Sequence, residues 1–123
     1  MKANNLRINN YILDKKSNEH KIVKAISCWG EMAMVGFENE MNLPFKLELS
    51  GIPLTEEWLI NFGFEFLRQQ GGTQGVFSNG VIELTLSNSG NIYYGIKILP
   101  YVHVLQNLYY ILKDEELTIK LNN

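Results

Sequence analysis

Tyr101-Val102-His103-Val104-Leu105-Gln106-Asn107-Leu108-Tyr109-Tyr110-Ile111-Leu112 is the stretch on which the reading of this chain turns. Tyr101, Leu105, Leu108 and Leu112 recur at the spacing of one face of an α-helix. A second row, His103, Gln106, Asn107 and Tyr110, runs beside that face and is polar with an aromatic tip. The spacing predicts a helix over 101–112 that buries Leu105 and Leu108, and Pro100 just before it permits a helix start. Toward the N-terminus, Ile92, Tyr94, Ile96 and Ile98 alternate as one strand. Asn88-Ser89-Gly90-Asn91 reads as a hairpin turn leading back to a strand with Ile82, Leu84 and Leu86 on one face. The helix is expected to pack on this meander. Beyond it, Leu117, Ile119 and Leu121 alternate once more, as an edge strand would.

The first half reads as β. Apolar runs at 7–13, 21–29, 32–37 and 45–49 recur at about ten-residue spacing, which suggests a small, strongly bent sheet or a Tudor-like barrel. Thr55 is a good N-cap, and Glu56 and Glu57 then occupy the first turn of a short helix, where the dipole favours carboxylates. Gly63 is placed to end that helix in a left-handed conformation. Two turns of helix hold themselves poorly, so Trp58 is expected to anchor this one at the junction between the two halves. Phe64 to Leu67 reads as strand, and Gln69 to Gly75 as a turn. The expected class is α+β: a single domain over 1–123, with a β-rich subdomain over about 1–52 and an α+β subdomain over about 53–123.

The chain has 123 residues, 46% hydrophobic and 20% charged, which is ordinary for a soluble globular domain. No apolar run approaches the roughly 18 residues of a membrane span, and Met1-Lys2-Ala3-Asn4-Asn5 leads into strand-like sequence with no signal-peptide core. Cys28 is the only cysteine, which forbids an intrachain disulfide and favours a reducing compartment. A cytoplasmic protein with no membrane partner is expected. The net charge of −2 is too small for a DNA mimic and gives no global attraction to phosphate. Its distribution is uneven: Lys2, Arg7, Lys15, Lys16, Lys21 and Lys24 crowd the first segment, whereas Glu31, Glu38, Glu40, Glu48, Glu56 and Glu57 follow in the next.

Candidate chemistry is sparse. His103 has no Ser, Cys or carboxylate tied to it by a known motif, and His20 falls in a surface turn, so both read as structural or surface histidines. Cys28 precedes Trp29 in a strand and reads as buried and inert. Gly71-Gly72-Thr73-Gln74-Gly75 lacks the lysine and following helix of a phosphate loop and reads as a turn. The two histidines and one cysteine match no zinc spacing. Tyr11, Trp29, Phe37 and Tyr93 would suit a stacking platform for unpaired bases, although aromatics at strand spacing usually belong to a core. No catalytic residue, metal or cofactor is expected.

Three strings together resemble a known family: Leu6-Arg7-Ile8-Asn9-Asn10-Tyr11-Ile12, then Ile52-Pro53-Leu54-Thr55-Glu56-Glu57-Trp58-Leu59 with Phe62-Gly63-Phe64, and Tyr101 to Tyr109 as quoted above. The chain is similar, over nearly its whole length and in the same order, to a group of small uncharacterised proteins scattered through Bacteroidota genomes, their prophages and other mobile elements. It departs from the group at Asn9, where glycine is usual, and at Lys113-Asp114, where a Thr-Gly pair is usual. The resemblance implies a phage or mobile-element setting and a bacterial host; it implies no activity.

Together these features predict a non-catalytic protein that binds a host macromolecule, an anti-CRISPR-like inhibitor of a defence nuclease being the sharpest form. The alternative is a nucleic-acid-binding accessory protein that uses the barrel-like N-terminal half. Two partner-binding surfaces are expected to compete. One is the hairpin bearing Lys15, Lys16 and Lys21, and the other the helix edge with His103 and Tyr110 beside Gln106 and Asn107. The hairpin is preferred, because its charges gain nothing internally whereas helix amides are usually satisfied within the fold.

Overall fold

The computed structural model describes residues 6–15, 17–29, 32–37, 43–44 and 49–120, with the backbone alone at 27–29, 32–34 and 43–44. The chain divides into two compact units. One comprises residues 1–52 with 102–116, and the other residues 53–101 with 117–123. The class is α+β, as the alternation of strand and helix signals predicts, with two antiparallel sheets and two helices among the described residues.

The first unit carries β1 (Tyr11–Asp14), β2 (Glu19–Trp29), β3 (Met32–Phe37), β4 (Leu43–Pro44) and β5 (Leu49–Ser50). They form an open sheet in the order β4-β3-β2-β1-β5, so the sheet is not closed into a barrel. Ile12, Val23, Val35, Phe37, Leu49 and Leu6 form its buried apolar cluster. Most of the strand expected over 45–49 lies outside the described residues; Leu49 pairs with Asp14 at the edge. The first strand begins later than the apolar pattern suggests, because residues 7–10 form a turn in which the Asn10 N–H donates to the Arg7 carbonyl at 3.1 Å. Asn9 then donates to the Val23 carbonyl at 2.7 Å, and Asn10 accepts from the Val23 N–H at 2.9 Å. Two residues thus oppose one, which is a β-bulge whose first position usually holds a glycine. Asn9 meets that demand with φ +78, a region asparagine tolerates better than most residues.

The same unit contains α2 (Val102–Lys113). The helix clusters with residues 1–52 rather than with the meander expected to receive it. Its buried stripe is also rotated from the expected one. Val102, Leu105, Gln106 and Tyr109 are buried along with His103, whereas Leu108 is half-buried and Tyr101 and Leu112 are exposed. The stripe still has helical spacing. Gln106 takes a place in it because the backbone groups it bonds lie on that side, as described below.

The second unit begins with α1 (Glu56–Asn61). The Thr55 hydroxyl accepts the Trp58 N–H at 3.4 Å, and Glu56 and Glu57 fill the first turn, as expected. The helix ends with Gly63 at φ +88; the Gly63 N–H donates to the Ile60 carbonyl at 2.9 Å and the Phe64 N–H to the Leu59 carbonyl at 2.9 Å. This pair of bonds is the Schellman ending. Leu59 and Phe62 anchor the helix, each with no exposed surface, whereas Trp58 is half-buried with its ring 5.5 Å from that of Phe62. The anchoring role expected of Trp58 thus falls to its neighbours.

The sheet of this unit runs β10-β9-β8-β7-β6. Its strands are β6 (Glu65–Arg68), β7 (Thr73–Ser78), β8 (Glu83–Ser87), β9 (Ile92–Tyr94) and β10 (Lys97–Ile98). The single strand expected over 92–98 is instead a hairpin, with Tyr94 paired to Lys97 and Tyr93 to Ile98. Gly95, at φ +61, opens the two-residue loop in the left-handed conformation that such loops require. Residues 117–120 follow without regular secondary structure, and Leu121 of the expected edge strand lies outside the described residues; Leu117 is buried and the Lys120 N–H donates to the Asn61 carbonyl at 2.7 Å.

The exit of α2 is capped differently from that of α1. Asp114 stands in the left-handed region at φ +55, and its N–H donates to the Tyr110 carbonyl at 2.8 Å. This is the simpler left-handed ending, in which glycine is usual. An aspartate here carries both the Cβ penalty and an anion at the negative end of the helix dipole. Asp114→Gly is expected to raise stability by about 0.5–1 kcal/mol. Asn9→Gly should gain less, since asparagine tolerates its conformation and the Asn9 Oδ1 accepts from Lys24 Nζ at 3.3 Å. Urea melts of the two variants beside the parent protein check this order.

Candidate functional site

The polar row of α2 is where sequence reasoning placed one candidate surface, and the structure turns it inward. Gln106 is only 1% exposed. Its Nε2 donates to the Asn9 carbonyl at 3.1 Å and its Oε1 accepts the Tyr11 N–H at 2.8 Å. A single side-chain amide therefore serves one backbone acceptor and one donor at the entrance to β1. Asn107 Oδ1 accepts from Asn10 Nδ2 at 2.9 Å and from Arg7 Nε at 3.2 Å. Asn10, fully buried, also accepts the Arg7 N–H on its Oδ1 at 2.6 Å.

Arg7 closes the arrangement. Its guanidinium pairs with the Glu116 carboxylate and lies 4.2 Å from the Tyr110 ring centroid. Its Nη2 also reaches the Gln106 carbonyl at 3.4 Å. The planar guanidinium suits this double use, a carboxylate at its edge and an aromatic ring on its face. Glu116, just beyond the helix, thus supplies a partner for the N-terminal segment. No sequence signal marks that pair, because Arg7 and Glu116 are 109 positions apart.

His103 and Tyr110, two of the residues expected at a partner surface, take different places. Tyr110 is 38% exposed with Arg7 on its ring. His103 is 2% exposed, and burial pushes its imidazole pKa below the ordinary histidine value. An exposed histidine edge is therefore not what the helix offers. Removing His103 from water favours the neutral ring, so in the interval below about pH 6.5 the unfolded chain binds more protons than the folded one. Stability is then complete above that value and falls as the pH drops below it, by at most about 1.4 kcal/mol per pH unit for one proton. Melting temperatures measured from pH 7.5 downward should decline through this interval, and the His103→Gln variant should lose that part of the slope.

The lysine hairpin divides as well. Lys15 is exposed in the turn and makes no ion pair among the described residues. Lys16 lies outside the described residues. Lys21 is engaged inside the unit: its Nζ is 3.0 Å from Asp14 Oδ2, with side-chain exposures of 13% and 8%, and 5.3 Å from the Phe37 ring centroid. A nearly buried ion pair of this kind costs several kcal/mol when one member is removed, because the other is left charged and dry. The premise that the hairpin's charges gain nothing internally therefore fails for Lys21.

The remaining sequence candidates are placed as follows. Phe37 is buried and Tyr11 half-buried in the first unit, and Tyr93 is half-buried in the second. The side chains of Cys28 and Trp29 lie outside the described residues. Gly71 and Gly72 form the turn into β7, which starts at Thr73. Among the described residues, no group of three or more His, Cys, Asp or Glu is arranged to hold a metal ion.

Sequence reasoning missed the surface of the second unit. β6 is an edge strand whose four residues are all exposed. Phe66 and Leu67, 56% and 48% exposed, stand on it, and Ile96 is fully exposed at the tip of the β9–β10 hairpin. Phe66 is held in place: its ring meets Phe77 edge-on at 5.9 Å and covers Gly75, where any Cβ would collide with it. The signal available in the sequence was Phe66-Leu67 in succession, which must place apolar groups on both faces of a strand. The ends of β6 are charged, and Arg68 pairs with Glu83 at 2.7 Å. No family model, curated protein or solved structure matches the chain.

Proposed function

We propose that this protein is a non-catalytic binding module that engages a protein partner through the second unit, with β6 at the centre of the contact. The observation that carries this reading is the edge strand itself, exposed along its whole length and bearing Phe66 and Leu67 in the open. Apolar and aromatic side chains held rigidly at a sheet edge are the usual source of affinity in protein recognition, and an edge strand also offers its backbone to an incoming strand. The polar side chains that sequence inspection singled out are engaged internally, as Gln106, Asn107 and Lys21 are, which leaves apolar contacts as the stronger basis for binding.

The resemblance to small proteins of Bacteroidota prophages and mobile elements supplies the setting. In that setting the partner is a host protein, and inhibition of a defence nuclease, anti-CRISPR-like, is the most specific form of the proposal. Lys15, which belongs to the first unit, is no part of the proposed contact.

The test is affinity capture from host lysate with the parent chain and with Glu65→Lys/Leu67→Lys, two exposed positions on β6 where a lysine does not disturb the core. The parent should retain one host protein in stoichiometric amount and form a binary complex with it on gel filtration. The double variant should lose that complex while melting at nearly the parent temperature. Retention of no protein at near-native concentration, or a complex indifferent to the two lysines, would defeat the reading. Salt-sensitive binding to DNA or RNA in fluorescence anisotropy would favour the nucleic-acid alternative instead.

A further inference from the structure

The loop between β7 and β8 holds Asn79-Gly80, the one place in the chain where glycine follows asparagine. We propose that Asn79 is a site of spontaneous modification, at which the folded loop promotes deamidation through a succinimide. The Gly80 backbone nitrogen attacks Cγ of Asn79 and loses its proton. The bond from Cγ to Nδ2 breaks and ammonia leaves. Water then opens the five-membered ring to aspartate or isoaspartate at position 79. The balance is one water consumed and one ammonia released, with no oxidation or reduction.

Three features of the loop favour this step. The Asn79 Oδ1, on which negative charge develops during attack, already accepts the Val81 N–H at 3.0 Å and the Ile82 N–H at 3.0 Å. Two backbone donors aimed at a developing oxyanion stabilise it without reorganisation. The proton that must leave, the Gly80 N–H, points at Ser78 Oγ at 3.0 Å, and that hydroxyl can relay it to solvent. Gly80 carries no side chain to hinder the attack, and both it and Val81 are exposed to the water that completes the reaction. Other asparagines are followed by bulkier residues: Asn61 by Phe62, Asn88 by Ser89, Asn91 by Ile92 and Asn107 by Leu108.

The modification has a structural consequence. Ser78 is in register with Glu65 on β6 and Glu83 on β8, so a carboxylate at position 79 adds charge beside an already acidic row. Isoaspartate also lengthens the main chain by one methylene and cannot keep the two bonds to Val81 and Ile82, the second of which fixes a buried residue. The inference is independent of the proposed function, since it concerns the chain's own chemistry.

The experiment is incubation of the full chain at neutral pH, natively and in concentrated urea, with peptide mapping by mass spectrometry and isoaspartate methyltransferase labelling. The expected result is a mass gain of about one dalton, as amide becomes carboxylate, on the Asn79 peptide before any other. The native rate should be several-fold above that in urea. Ser78→Ala should slow the native reaction and leave the rate in urea unchanged. A native rate below that in urea would show that the loop shields Asn79 and would overturn the proposal. So would earlier modification of a different asparagine, or a native rate indifferent to Ser78→Ala.

Discussion

The first unit depends on one side-chain amide. Where residues 9–11 enter β1, a backbone carbonyl at Asn9 and an N–H at Tyr11 need partners, and Gln106 supplies both from α2. A buried backbone group without a partner costs about 1–3 kcal/mol, so the amide matters more for what it prevents than for the bonds it adds. Asn107, Arg7, Tyr110 and Glu116 extend the same attachment outward, ending in an ion pair and a cation–π contact that are only partly covered. The network joins the beginning of the unit to its last helix, two pieces of chain separated by nearly the whole second unit in sequence.

This arrangement explains why α2 faces the way it does. Judged by hydrophobicity alone, Leu105, Leu108 and Leu112 should be the buried row. The observed stripe keeps Leu105 and replaces the other two with Gln106 and Tyr109, the first of which faces the backbone groups it satisfies. Burial of His103 follows from the same rotation. Polar side chains thus fix the helix orientation, while Val102, Leu105 and Tyr109 provide its apolar contacts.

What could be read in the sequence was mostly local. The cap at Thr55, the carboxylates of the first turn and the ending at Gly63 are set by neighbours within a few residues, and they appear as expected. The α+β class follows from apolar periodicity, and the structure has it. The break at Gly95 was legible in principle, since a glycine between Ile92-Tyr93-Tyr94 and Ile96-Lys97-Ile98 is a turn signal, but the alternation of Ile92, Tyr94, Ile96 and Ile98 masked it. The sites of Lys21 and Gln106 were not legible. Each depends on a partner brought in by the fold: Asp14 across the hairpin for one, and backbone groups 95 to 97 positions away for the other. Asn9 and Asp114 look unrelated in the sequence, yet both fall at left-handed positions where the backbone, not the side chain, sets the requirement.

The most direct test of the central claim is Gln106→Met, which keeps the volume of the side chain and removes its amide. Hydrogen exchange at the Tyr11 N–H and the urea midpoint are measured together. The account predicts that protection at Tyr11 collapses and that stability falls by about 1–3 kcal/mol, with the second unit's amides unaffected below the global transition. A variant that melts like the parent and still protects the Tyr11 amide would contradict it, and would mean that packing rather than the Gln106 amide holds the helix to the strand.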